Sequence, residues 1–237
     1  MSPAFSIIER FPYITHEMSQ PSSTTAARTD QYLQRAYALA GTSEAQNLYD
    51  EWAGIYDTDL NATGYASPQR CVETVVKNVS STPSGKLKIF DAGCGTGLVG
   101  DCLAQSPLSG KFVLDGVDLS PGMLAAARKK DVYRELETAN LNERIEKPDG
   151  SYDVVVCVGT LTKGHVGPKV LEEFARLIAK AGLIVATVHD EVWESGGYKD
   201  EVERLQKVGA VQIVSTDEFG ILQEATTGGK MLVLKKQ

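Results

Sequence analysis

This 237-residue chain predicts an α/β fold built on an open, largely parallel sheet. Three observations carry the prediction. From about residue 85 onward, short β-prone apolar runs alternate with segments of helical spacing. The first run, Leu87-Lys88-Ile89-Phe90, leads into a glycine turn at 93, 95 and 97 and then into a helical stretch from Leu98 to Ala104. A later run, Tyr152 to Val158, is almost continuously apolar and rich in β-branched residues, as expected of a strand covered on both faces.

Residues 1–22 mix Pro3, Pro12 and Pro21 with serines and aromatics, which predicts an arm rather than a continuous element. Phe5, Ile7, Ile8, Phe11 and Tyr13 are too apolar for a solvated tail. The arm therefore packs on the body or on another subunit, the latter giving a homodimer through the N-terminal segment. A helix over Thr24 to Ala40 puts Tyr32, Leu33, Ala36, Tyr37 and Ala40 on one face and stops at Gly41. Ser43-Glu44-Ala45-Gln46 fits a capping box and starts a second helix, in which Leu48, Tyr49, Trp52, Ile55 and Tyr56 recur at helical spacing. Ser67-Pro68 reads as an N-cap with proline in the first helical position. The helix it opens runs through Val72, Val75, Val76 and Val79 to Pro83-Ser84-Gly85.

The first strand ends at Asp91. The glycines remove β-carbons where the backbone bends and a ligand must come close, and the following helix start, at roughly 97–105, offers unpaired N–H groups. The dinucleotide pattern G-x-G-x-x-G fails here because the third glycine comes one residue early. A carboxylate at the strand end suits an α-amino group or a sulfonium better than a pyrophosphate. The second strand, Val113 to Asp118, ends in another acid able to accept hydrogen bonds from ribose hydroxyls. Two acids around a glycine turn predict S-adenosylmethionine (SAM).

Asp91-Ala92-Gly93-Cys94-Gly95-Thr96-Gly97 followed by Asp118-Leu119-Ser120-Pro121-Gly122-Met123-Leu124 resembles motif I and the second-strand motif of class I SAM-dependent methyltransferases. Over residues 47–236, the segments Tyr49-Asp50-Glu51-Trp52-Ala53, Tyr56-Asp57, Gly159-Thr160 and Gly164-His165-Val166-Gly167-Pro168 also resemble the small methyltransferase-like group whose human member lies in the Williams–Beuren region. The resemblance implies a Rossmann-like, seven-stranded class I sheet with the last strand antiparallel and an N-terminal helical extension. The implied division is an arm and helix over 1–41, a helical cap over the cofactor site at 42–84 and the methyltransferase domain at 85–237. It further implies that Tyr49, Trp52 and Tyr56 close over the methionine end of SAM, with plain core packing as the alternative. The implied contacts within the domain are Asp91, Gly93, Cys94, Gly95, Gly97, Asp118, Leu119, Met123, Leu141 and Cys157. Where the family often carries an acid facing the adenine amino group, this chain has Asn140; an amide can still read adenine, or it can close an Asx turn.

The remaining elements follow in order. Ser120-Pro121 caps a helix with Met123, Leu124 and Ala127 inward, and Val132 to Thr138 reads as the third strand. After the central strand come a helix over Val170 to Ala179, a strand over Leu183 to Val188 and a helix over Tyr198 to Lys207. Strands at Val211 to Ser215 and Met231 to Leu234 follow, the last entered through Thr227-Gly228-Gly229.

A formal charge of −7 opposes a nucleic-acid partner, since phosphate contacts need a basic face. Cys71, Cys94, Cys102 and Cys157 form no C-x-x-C pair and have no histidine at ligand spacing, so no metal is expected. With no apolar run near the ~20 residues that span a bilayer, the expectation is a cytoplasmic protein without a membrane partner. Methyl transfer from a sulfonium requires alignment and dryness, and needs a base only for a protonated, high-pKa acceptor. His165 and His189 follow the tips of the fourth and fifth strands and are the candidate bases. The alternatives are a hydrogen bond or stack at the cofactor for His165 and an exposed loop position for His189. Glu191 and Trp193 could line the substrate pocket or pack the loop, and His16 has no role. The predicted function is methylation of a small molecule, favouring oxygen over sulfur or nitrogen. The alternatives are a SAM-binding enzyme that promotes a rearrangement or elimination, and a noncatalytic SAM-binding protein.

Overall fold

The computed structural model describes residues 23–79 and 85–237. The arm over 1–22, with His16 and the homodimer contact expected of it, and the Pro83-Ser84 helix end lie outside the described residues. Four helices precede the sheet: α1 (Ser23–Tyr37), α2 (Thr42–Trp52), α3 (Tyr56–Ala62) and α4 (Ser67–Asn78). There follow β1 (Leu87–Ala92), α5 (Leu98–Ala104), β2 (Phe112–Asp118), α6 (Pro121–Arg128), β3 (Glu135–Thr138) and β4 (Tyr152–Leu161). The chain ends with α7 (Val170–Leu177), β5 (Ile178–His189), α8 (Asp190–Trp193), α9 (Tyr198–Lys207), β6 (Val211–Gly220) and β7 (Gly228–Lys236).

The strands form one seven-stranded sheet in the order β3-β2-β1-β4-β5-β7-β6. β1 to β5 pair in parallel, and β7 runs antiparallel to both β5 and β6, so the last strand is the reversed one. Strand order changes direction between β1 and β4, where Asp91 pairs with Val156. That is the place where open α/β sheets bind ligands at their carboxyl ends. β4 is buried on both faces as its composition predicts. Val155 and Cys157 face Leu171 and Phe174 of α7, and Val154 and Val156 face Val72 and Val75 of α4 and Leu103 of α5. α4, grouped by sequence with the cap, thus packs on the sheet.

Local signals were less reliable than periodicity. The helix expected from Ser43 starts at Thr42 with Gly41 as its N-cap, and Ser43 makes no capping bond. The carboxylate of Glu44 accepts from the Ala40 N–H instead (3.0 Å). That helix does not continue to Tyr56 but breaks after Trp52. The break leaves Asp59 on α3 fully buried, where its carboxylate accepts from the Trp52 indole N–H (2.9 Å) and pairs with Arg28 of α1. At Ser67 the N-cap is Ala66, again without a side-chain bond. Ser120 behaves as expected, accepting from the Met123 N–H at 3.0 Å. β3 begins only at Glu135, because Tyr133 turns inward beneath the glycine turn.

Candidate active site

A cleft opens at the carboxyl ends of β1, β2 and β4, beneath α2. Among the residues singled out by sequence, Tyr49, Tyr56, Gly93, Gly95, Asp118, Leu119, Met123, Asn140, Leu141 and His165 line it. Asp91, Cys94, Gly97 and Cys157 do not: they lie outside its lining, and Trp52 and His189 line a second cavity. Trp52 is set back from the cleft by its bond to Asp59 and by a stack on Tyr32 with ring centroids 4.9 Å apart.

The turn is shaped by two glycines for different reasons. Gly93 has φ +76°, and a β-carbon there would collide with the Thr160 side chain; Gly97, at φ +88°, is the left-handed N-cap of α5. We expect Gly93→Ala to cost about 1–2 kcal/mol from backbone strain alone. Denaturant unfolding measures that loss.

Asp118 holds the turn from β2. Its carboxylate accepts from the Gly95 N–H (2.8 Å) and the Ser120 N–H (2.9 Å) and still presents lone pairs to the cleft it lines. Burial raises its pKa, against the lowering effect of those backbone bonds. α2 and α3 are latched to the same region by two acids that sequence reasoning passed over. Asp50 accepts from Ser120 Oγ (2.5 Å) and the Gly122 N–H (2.8 Å), and Asp57 accepts from Thr96 and pairs with Lys130 (2.9 Å). Their positions beside Tyr49 and Tyr56 were visible, but their partners lie more than thirty residues away.

Asp91 is wholly buried. Tyr133 Oη donates to its Oδ2 (2.7 Å), and Oδ1 has no partner among the described residues. Burial pushes its pKa up to about 7, the Tyr133 bond opposes the rise, and the nearby charge of Asp118 adds to it. No cation among the described residues enters that balance. An orphaned carboxylate oxygen two residues from Gly93, together with a second acid on the cleft wall, fits a cofactor that brings positive charge.

Asn140 closes its own loop. Its oxygen accepts from the Asn142 N–H (3.0 Å) and its amide donates to Glu143 (2.9 Å), the Asx-turn alternative, while the residue still lines the cleft.

The sequence profile of the Methyltransferase domain family matches residues 89–182, which hold the glycine turn, Asp118 and β4. Methyltransferase-like protein 27 of Homo sapiens is 29% identical over 197 residues, covering 81% of this chain and 78% of its own. The matched domain and the shared fold support a SAM-dependent methyltransferase of class I architecture. Solved structures share its fold. One is the CurJ carbon methyltransferase (15% identity, TM-score 0.64, 90% of this chain and 68% of that one). Another is the magnesium protoporphyrin IX methyltransferase of Synechocystis with bound SAM (15% identity, TM-score 0.54, 90% and 93%).

The methyltransferase has a second cavity, of about 420 Å³, which shares Tyr49, Tyr56, Gly159 and His165 with the first. In that shared wall Tyr49 Oη lies 2.7 Å from His165 Nε2. His165 Nδ1 lies 2.8 Å from the Lys163 carbonyl, which only accepts. Nδ1 therefore carries the proton, and Nε2 takes the hydrogen bond from Tyr49. Burial lowers the His165 pKa below its ordinary 6.5. His189 is arranged differently. Its Nδ1 accepts from the Glu191 N–H (3.2 Å), so in the neutral ring Nε2 is a donor, which argues against its expected role as a base. Glu191 and Trp193 are not part of the lining of either cavity; Glu191 pairs with Lys163 (3.1 Å) and Trp193 packs on the core.

Proposed function

We propose that this methyltransferase acts on a small molecule held in the second cavity, with oxygen as the favoured acceptor and sulfur or nitrogen as the alternatives. One observation carries the reading: the two cavities meet at a wall where, among the described residues, the only ring-nitrogen base is paired to a phenol. In this reading Asp118 receives the ribose hydroxyls, and Leu119, Met123, Leu141 and Asn140 surround adenine. The methionine end lies against Gly93, Gly95, Tyr49 and Tyr56 under the charge of Asp91. Cys94, Gly97 and Cys157 shape the turn and strand end from behind, and Trp52 anchors the cap.

Bound SAM supplies a methyl group already activated on sulfur. The chain's task is to align the acceptor and keep water out, which contributes about 7 to 11 kcal/mol in well-ordered systems. For a hydroxyl acceptor, the leaving proton passes to Tyr49 Oη while Tyr49 gives its own proton to His165 Nε2. His165 must be neutral for this. Activity should therefore rise with pH through a value below 6.5 and then level off. His165→Ala and Tyr49→Phe should each lower kcat roughly 100-fold and flatten that acid limb. Unchanged profiles at saturating SAM would remove the relay and leave alignment alone.

A net charge of −7 supports a substrate other than nucleic acid. Four free thiols support a reducing compartment, the cytoplasm. Among the described residues no helix is long and apolar enough to cross a membrane. The test is incubation with SAM and a metabolite extract, followed by mass spectrometry. A metabolite heavier by one methyl group, formed with equimolar S-adenosylhomocysteine, is the expected result. A rearranged product without adenosylhomocysteine would favour the non-methylating reading.

A further inference from the structure

The second cavity has a chemical character that separates it from the first. Asp118 lines the cofactor cleft, but among the described residues no Asp, Glu, Lys or Arg lines the second cavity. Its walls are the rings of Trp52, Tyr56 and Phe219 with aliphatic neighbours, interrupted by hydroxyl side chains and by His165 and His189, and α1 closes one side through Leu33, Ala36 and Tyr37. α1 is held there by the Tyr32–Trp52 stack and by the Arg35–Glu51 pair (2.7 Å). Thr162, a residue of the cavity wall, has its Oγ1 buried and without a partner among the described residues. At about 420 Å³ the space lies within the roughly 300–1,000 Å³ usual for small-molecule sites.

From this we infer that the acceptor is an uncharged, ring-bearing molecule with hydroxyl groups at two ends, and that the N-terminal helix α1 is part of its binding site. A charged acceptor would lose its hydration without meeting a carboxylate, ammonium or guanidinium partner. An aromatic or alicyclic body meets ring faces and apolar side chains instead. One hydroxyl lies at the Tyr49–His165 wall. The second lies beside Thr162, whose side chain turns its buried Oγ1 to meet it and gains the hydrogen bond it lacks. This assignment rests on the reading of the neighbouring cleft as the SAM site.

Three fluorescent probes share one ring system and differ at one position: 2-naphthol, 2,6-dihydroxynaphthalene and 6-hydroxy-2-naphthoic acid. Each is titrated into the full-length protein saturated with S-adenosylhomocysteine, whose own affinity is measured first by calorimetry. The two neutral probes should bind saturably, the dihydroxy compound more tightly, and the carboxylate at least tenfold more weakly. Thr162→Val should erase the advantage of the dihydroxy probe. Leu33→Trp should weaken both neutral probes at least tenfold while adenosylhomocysteine affinity stays within twofold. Equal or tighter binding of the carboxylate, absence of neutral-probe binding to loaded protein, or indifference to Leu33→Trp would each overturn the inference. Failure of adenosylhomocysteine itself to bind would instead overturn the cofactor reading beneath it.

Discussion

Asp91→Asn should make the unliganded protein more stable at pH 8 and at the same time weaken its hold on adenosyl ligands. Asp91 is buried without a compensating cation among the described residues, and its pKa is raised from an ordinary 3.8 to about 7. A carboxyl group whose folded pKa is raised stabilises the fold fully below its unfolded value, and that contribution is lost as pH rises through the folded value. The parent protein therefore gives up stability between about pH 4 and pH 7, and the deficit is constant above that. A rise of that size corresponds to about 4 kcal/mol, an upper bound for the gain from a neutral isostere. The amide oxygen of asparagine keeps an acceptor for Tyr133. Thermal unfolding at pH 4 and pH 8 checks the sign: the variant should melt higher at pH 8, with the gap closing toward pH 4. Calorimetry should show the opposite ordering for S-adenosylhomocysteine at neutral pH. A residue whose charge costs the empty protein stability and strengthens the loaded one serves a ligand rather than the fold.

Asp118→Ala should weaken S-adenosylhomocysteine roughly 100- to 1,000-fold, about 3 to 4 kcal/mol. Two losses combine in this variant. The carboxylate no longer receives the ribose hydroxyls, and the Gly95 and Ser120 N–H groups that it orders are left without their acceptor. Asp118→Asn, which keeps one acceptor oxygen, should fall between parent and alanine variant. A matched circular dichroism spectrum separates loss of the site from loss of the fold. Equal affinity in all three proteins would place the ribose elsewhere.

Much of this was readable from the chain because the determining signals are local. The β1–glycine–α5 unit and the Asp118-Leu119-Ser120-Pro121 corner are each short, contiguous stretches. The two-sided burial of β4 shows in its own composition. The final antiparallel strand came from resemblance rather than from any pattern in Met231 to Leu234. What stayed hidden depends on distant partners. Tyr133 reads as part of a strand, yet it lies against Gly97, Gly100 and Gly116 and donates to Asp91, a contact spanning 42 residues. Tyr49 and His165 stand out in the sequence for different tasks, and only the fold brings them to one hydrogen bond across 116 residues. Asp50 and Asp57 look like solvated acids on a helix until their donors are seen at Ser120, Gly122 and Thr96. Trp52 has the spacing of a cap aromatic, but Asp59, a buried acid beyond the helix break, takes its indole N–H.

Asp91, buried, and Asp118, on the cleft wall, leave negative charge unbalanced until a cationic adenosyl ligand arrives. The most direct measurement is the calorimetric affinity for S-adenosylhomocysteine at pH 5, 6 and 7 in the parent and in D91N. Parent affinity should fall as pH drops below 7 and Asp91 takes up its proton, by up to about tenfold per pH unit, while D91N binds weakly with little change. A parent curve that is flat with pH and coincides with D91N would contradict it.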